Sequence, residues 1–169
     1  LSGSRPQGPL PLPAAAGALI ERRVGRLSAP ARELLRLVAL SGEQLRLGTA
    51  ARVLGQPLAD LALAWRELQE AQLAQGSTIA HDLVRECVLT RLPAAARSAV
   101  HLALAQALQH EPGVEPIRLA RHWREAGCWR EAHGALRAAA QRARIAGRLE
   151  EYEVLLRDAA DAATRAGDE

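Results

Sequence analysis

The stretch AQLAQGSTIAHDLVRECVLTRLP, residues 71–93, decides how the chain is read. Its first half sets two short apolar arms around Gln75-Gly76-Ser77, the composition of a tight β-hairpin with about three residues per arm. Its second half returns to helical spacing. Leu83, Val84, Cys87, Val88 and Leu92 recur as one helix face does, and Pro93 ends the run. A His81-Asp82 pair stands at the mouth of that helix.

Upstream of the hairpin the pattern is helical. Residues 1–13, LSGSRPQGPLPLP, hold four prolines and two glycines and read as an extended linker. Ala14 to Arg26 reads as a helix. Ser28 is a good N-cap with Pro30 in the first turn, and the helix that follows runs to about Leu40, with Leu34, Leu35 and Val38 on one face. Gly42 stops it. A short helix spans about Gly48–Leu54 and closes at Gly55. Pro57 opens the next, to about Leu73, with Leu58, Leu61, Trp65, Leu68 and Gln72 on one stripe. Helices, a hairpin and a helix in this order predict a winged-helix unit over residues 14–92.

Downstream, residues 94–169 read as a helical repeat region. Val100, Leu104 and Leu108 recur every four residues, and Ile117 to Ala126 forms another helix after a break at 111–116. Ala-Gly then recurs at 126–127, 146–147 and 166–167, a spacing of twenty. Each Gly can take the left-handed conformation that ends a helix. The two units should bury Trp129, Ala132, Leu136 and Ala139, and Leu149, Tyr152, Leu156 and Ala159. One such helix cannot bury its face alone, so antiparallel helical hairpins of tetratricopeptide-like type are expected. The fold class is therefore mainly all-α, a winged-helix unit with one short hairpin followed by helical hairpins.

Composition narrows the chemistry. About half of the 169 residues are apolar and 24% are charged, a globular balance. All 22 basic residues are Arg, which suits a GC-rich bacterial genome. Without Lys there is no Schiff-base lysine and no phosphate-loop lysine. Two distant cysteines do not form a disulfide framework, and a cytoplasmic location is expected. No apolar run is long enough to span a membrane, and no signal-peptide pattern opens the chain. The start without Met and the end on Ala-Gly-Asp-Glu read as a fragment of a longer protein. Charge is uneven: residues 1–36 carry six Arg against two Glu, whereas residues 111–169 carry ten Arg against eleven acids.

No catalytic or metal-ligating set is expected. A hydrolase would need a nucleophile, an orienting acid and an oxyanion site. Cys87 lies on the apolar stripe and reads as a buried structural thiol. His122, Cys128 and His133 surround a helix corner without the paired spacing of a zinc site. Trp65, Trp123 and Trp129 read as packing residues, while His101, His110 and His133 carry no functional expectation. Direct DNA binding through residues 57–73 is disfavoured, because Arg66 there faces Asp60, Glu67 and Glu70, and residues 72–80 carry no charged Arg, Lys, Asp or Glu.

The phrases LPLPAAAGALIERRVGRLSAPARELLRLVALSG (10–42), AQLAQGSTIAHDLVRECVLTRLPAAARSAVHLALAQAL (71–108) and LARHWREAGCWREA (119–132) resemble a segment of STAND-class bacterial signal-transduction ATPases. The resemblance is to the region after the nucleotide-binding domain in regulators of the LuxR and antibiotic-regulatory kinds. It covers about Leu10 to Glu169. It implies a winged-helix domain followed by tetratricopeptide-type helices. It implies further that AHDL at 80–83 corresponds to the Met-His-Asp motif of plant NLR resistance proteins and the apoptotic protease-activating factor. There the His reaches the β-phosphate of ADP and holds the inactive state. By that correspondence His81 contacts ADP and Asp82 caps the helix. Ala80 stands where the motif has Met, and the hairpin is shorter and lacks an aromatic residue.

The resulting expectation is a non-catalytic regulatory and scaffolding segment of an ATP-dependent transcription regulator. It holds no cofactor itself, with ATP or ADP bound by the parent protein. Its partners would be an upstream nucleotide-binding domain of the same chain and a protein partner or effector on the helical repeats. A DNA-binding winged helix and a plain protein-interaction scaffold are the alternatives.

Overall fold

α2 (Ala29–Ser41) is the helix around which the first core is built, and its sequence explains why. Ser28 takes an extended conformation and its hydroxyl accepts from the Ala31 amide at 3.3 Å, while Pro30 occupies the first turn. Eight of its 13 residues are buried, Leu34 and Leu35 among them. The computed structural model of the protein describes residues 14–42 and 45–167. The linker expected over 1–13 lies outside the described residues.

Around α2 lie α1 (Ala14–Arg26), α3 (Leu47–Leu54), α4 (Leu58–Glu70) and α5 (Asp82–Thr90), with β1 (Ala74–Gln75) and β2 (Thr78–Ile79) between α4 and α5. Then come α6 (Ala94–Leu108), α7 (Pro116–Glu125), α8 (Trp129–Ile145) and α9 (Leu149–Gly167). The described chain is mainly helical with one very small antiparallel sheet.

The hairpin pairs Ala74 with Ile79 and Gln75 with Thr78, so each arm has two residues rather than the three expected. One further bond, from the Ala80 amide to the Leu73 carbonyl at 3.1 Å, lengthens the pairing. α4 also stops earlier than Leu73. Gln72 takes φ +58° and the Leu73 amide turns back to the Leu68 carbonyl at 2.9 Å. A left-handed residue closing a helix is usually Gly, so Gln72 gave no stop signal. Such a small hairpin is marginal alone. Its tip is held to α4, where the Trp65 indole N–H donates to the Gly76 carbonyl at 3.1 Å. The α4 stripe starts at Leu61, since Leu58 is exposed.

Two apolar clusters follow one another along the chain. The first runs from Leu27 to Leu104 and the second from Ala105 to Ala162, so they meet inside α6. In the second, the buried faces of α8 and α9 are rich in alanine: Ala132, Ala135, Ala139, Ala140 and Ala143 on α8, and Ala159 and Ala162 on α9. Small side chains let the helix axes come close. The turns are made by Gly127 and Gly147, at φ +77° and +73°.

The stripe expected on α9 is corrected. Leu155 is buried at 5% exposure, whereas Leu156 is 41% and Leu149 64% exposed. Tyr152, Leu155, Ala159 and Ala162 make the inner face. Spacings of 3 and 4 permit either phase, and only contact with α8 chooses. Leu155→Ala should therefore lower the unfolding free energy by about 2–4 kcal/mol in a urea titration, and Leu156→Ala by less than about 1 kcal/mol. The reverse order would refute this phase.

Candidate functional site

The first candidate site is the corner between the hairpin and α5. His81 occupies the N-cap position at φ −150° and ψ 148°, with an exposed side chain that makes no capping bond. Its carbonyl accepts from the Val84 amide at 3.0 Å. Asp82, expected as the cap, is instead the first helical residue and is exposed. Its carboxylate in the first turn still suits the helix dipole. The backbone turn between Ile79 and Asp82 sets this register, which spacing alone leaves open by one residue. His81 borders a shallow cleft of about 360 Å³ shared with Arg23, Gln69 and Gln72. Arg23 reaches across from α1 and donates to the Ala71 carbonyl at 3.4 Å. The corner thus brings an imidazole and a guanidinium to one cleft beside the start of α5.

The second candidate is the polar seam where the two cores meet. Glu111, after α6, accepts from the Thr49 hydroxyl and pairs with Arg52, both on α3. From α7, Arg121 donates to the Ser41 carbonyl at the end of α2. There Gly42 sits at φ +72°, and any Cβ on it would meet the Arg121 guanidinium. Beside Arg121, His101 of α6 and His122 of α7 are buried with their Nδ1 atoms 2.8 Å apart.

The tautomers of that pair follow from its neighbours. Arg121 approaches Nε2 of His122 at 3.4 Å and can only donate, so that nitrogen carries a lone pair. The His122 proton is then on Nδ1 and points at Nδ1 of His101, whose own proton sits on Nε2. Both rings are neutral. Burial pushes His122 down to about 3, with Arg121, His101 and Arg118 adding to the effect. Burial also lowers His101, against a raising influence from Glu125.

The remaining candidates separate. His122 is in this pair, and His133 donates from Nδ1 to the Ala159 carbonyl at 2.8 Å. Cys128 is the half-buried N-cap residue of α8. Among the described residues no group of three or more His, Cys, Asp or Glu is placed to hold a metal ion. Cys87 is half-buried rather than buried: a Cβ added at Gly17 of α1 would stand 4.0 Å from its Sγ, and Val84 and Val88 take the inner positions. Burial first, then Glu21, raises its thiol. Trp123 is in the second core, Trp129 lies under Arg165 at 4.5 Å, and His110 is exposed.

The histidine pair was missed from the sequence. Its only signal was that His101 precedes Leu104 and Leu108 at helical spacing, which places it on the inward stripe. Nothing in the chain order announces that His122 meets it.

No family model, no characterised protein and no solved structure matches the chain.

The neutral pair makes stability depend on pH. Its folded-state values lie below the unfolded value of 6.5, so its contribution is complete above that pH and is lost as pH falls. Unfolding free energy should drop by about 2 kcal/mol between pH 7 and pH 5. In His101→Leu/His122→Leu, which removes both polar partners, the drop should vanish. A pH-independent wild type would refute the neutral assignment. Gly42→Ala should destabilise by about 1–3 kcal/mol in the same assay, through its left-handed backbone and the displaced Arg121.

Proposed function

We propose that the chain is the non-catalytic regulatory and scaffolding segment of a larger ATP-dependent bacterial transcription regulator of the STAND class. In this reading residues 14–92 are a winged-helix unit that rests on a nucleotide-binding domain, and residues 94–169 begin a tetratricopeptide-like array. The observation that carries it is His81. Its side chain is exposed and makes no capping bond at the start of α5, and it shares a cleft with Arg23, where an incoming phosphate would meet imidazole and guanidinium together. The seam supports the coupling part. Arg121 and Glu111 tie the second segment to α2 and α3, so a partner that strains the repeats pulls on the helix carrying the first core. The reading places the protein in the cytoplasm.

Direct DNA binding is less well supported. The outer face of α4 presents Asp60 and Glu70, and Glu67 is engaged with the Ser28 amide and hydroxyl at 2.6 and 2.5 Å. The hairpin tip carries no cation for phosphate. A plain protein-binding scaffold is favoured by a different observation, the exposed Ile145, Leu149, Val154 and Leu156 around α8 and α9. No helix among the described residues is long and apolar enough to cross a membrane.

The deciding measurement is the nucleotide carried by the purified full-length parent, wild type beside His81→Ala. ADP present in the wild type and lost in the variant is the expected result. ADP retained equally in both would reduce His81 to a helix start. Nucleotide in neither would overturn the switch reading in favour of the scaffold, and salt-sensitive duplex binding would favour the DNA reader.

A further inference from the structure

A second cleft lies toward the C-terminal end of α5, between α1, α2 and α5, with a volume of about 210 Å³. Its floor is apolar, with Val24, Leu35 and Val88, and its rim carries Arg32, Arg36 and Arg91. The three guanidiniums are not equivalent. Arg91 is taken by Glu21 at 2.5 Å. Arg32 and Arg36 pair with no acid among the described residues. They stand four residues apart on α2, so they face the same way and repel each other. An anion between them would relieve that repulsion and gain two charge-assisted donors.

The shape sets the rest of the ligand. The volume is below the roughly 300–1,000 Å³ of sites for drug-sized molecules, so the occupant is small. Apolar floor beneath cationic rim asks for one charged end and one short greasy end. We propose that this cleft binds a short-chain aliphatic carboxylate, its head between Arg32 and Arg36 and its tail over Val24, Leu35 and Val88. The site uses neither His81 nor the seam, and stands apart from the nucleotide reading.

The half-buried Cys87 thiol, which lines the cleft, reports on occupancy. The test is the rate of alkylation of the whole chain by iodoacetamide, a neutral reagent, resolved by mass spectrometry at Cys87 and at Cys128 as the internal control. Saturating hexanoate should slow Cys87 about five-fold or more and leave Cys128 unchanged. Each methylene buried adds about four-fold in affinity, so butyrate, two methylenes shorter, should need roughly fifteen-fold more ligand than hexanoate for half protection. Hexanol and inorganic phosphate, each lacking one end of the ligand, should protect far less. Arg32→Gln/Arg36→Gln, changed at exposed positions, should raise the half-protecting concentration about five-fold or more. Glu21→Gln, which frees Arg91, should lower it. No protection by hexanoate overturns the site. Equal protection by hexanol or by phosphate overturns the ligand class, and protection unchanged in the double Arg variant overturns the role of the rim.

Discussion

The buried end of α2 constrains everything around it. Its Leu-rich face fills the first core, so the helix must stop inside the molecule, and a helix stopping there leaves carbonyls that need donors. Arg121 supplies one, from a helix 80 residues further along the chain. The guanidinium fits only because Gly42 has no Cβ in its way. One backbone oxygen, one glycine and one arginine thus act together with the Glu111 contacts to α3 in holding the second segment on the first.

The same contact accounts for the chemistry beside it. Burial disfavours a positive charge on His122, and the cation brought into the seam beside it disfavours that charge further. Two neutral imidazoles sharing one proton satisfy each other without adding charge. Glu111 balances the seam from the other side by pairing with Arg52. What looks in sequence like a change of domain is in space a shared helix, α6, which gives Val100 and Leu104 to the first core and Leu102 and Ala105 to the second.

His81 owes its freedom to different physics. The hairpin turns the chain so that α5 begins at Asp82, and the cap position falls on a residue whose side chain is not needed to close the helix. A Ser or Asp there would turn back on the helix amides. An imidazole left in solvent beside Arg23 remains available to an outside anion.

Much of the helical architecture was legible in the residues. Ser28 with Pro30, Gly42, Gly55, Pro93 and the paired Ala-Gly turns each act through local backbone preference, and helix boundaries at those points agree with the structure within a residue or two. His81 and Asp82 could be placed at a helix mouth for the same reason. Where the stop was made by Gln72, a residue with no strong left-handed preference, local reading ran three residues too far. The inward face of α9, the half-exposure of Cys87 and the meeting of His101 with His122 belonged to tertiary structure alone. Each depends on which helix lies opposite, and periodicity specifies a stripe without naming its partner. Sequence by itself determined helix limits where Ser, Pro or Gly acts on the local backbone; packing decided which faces, and which histidines, were brought together.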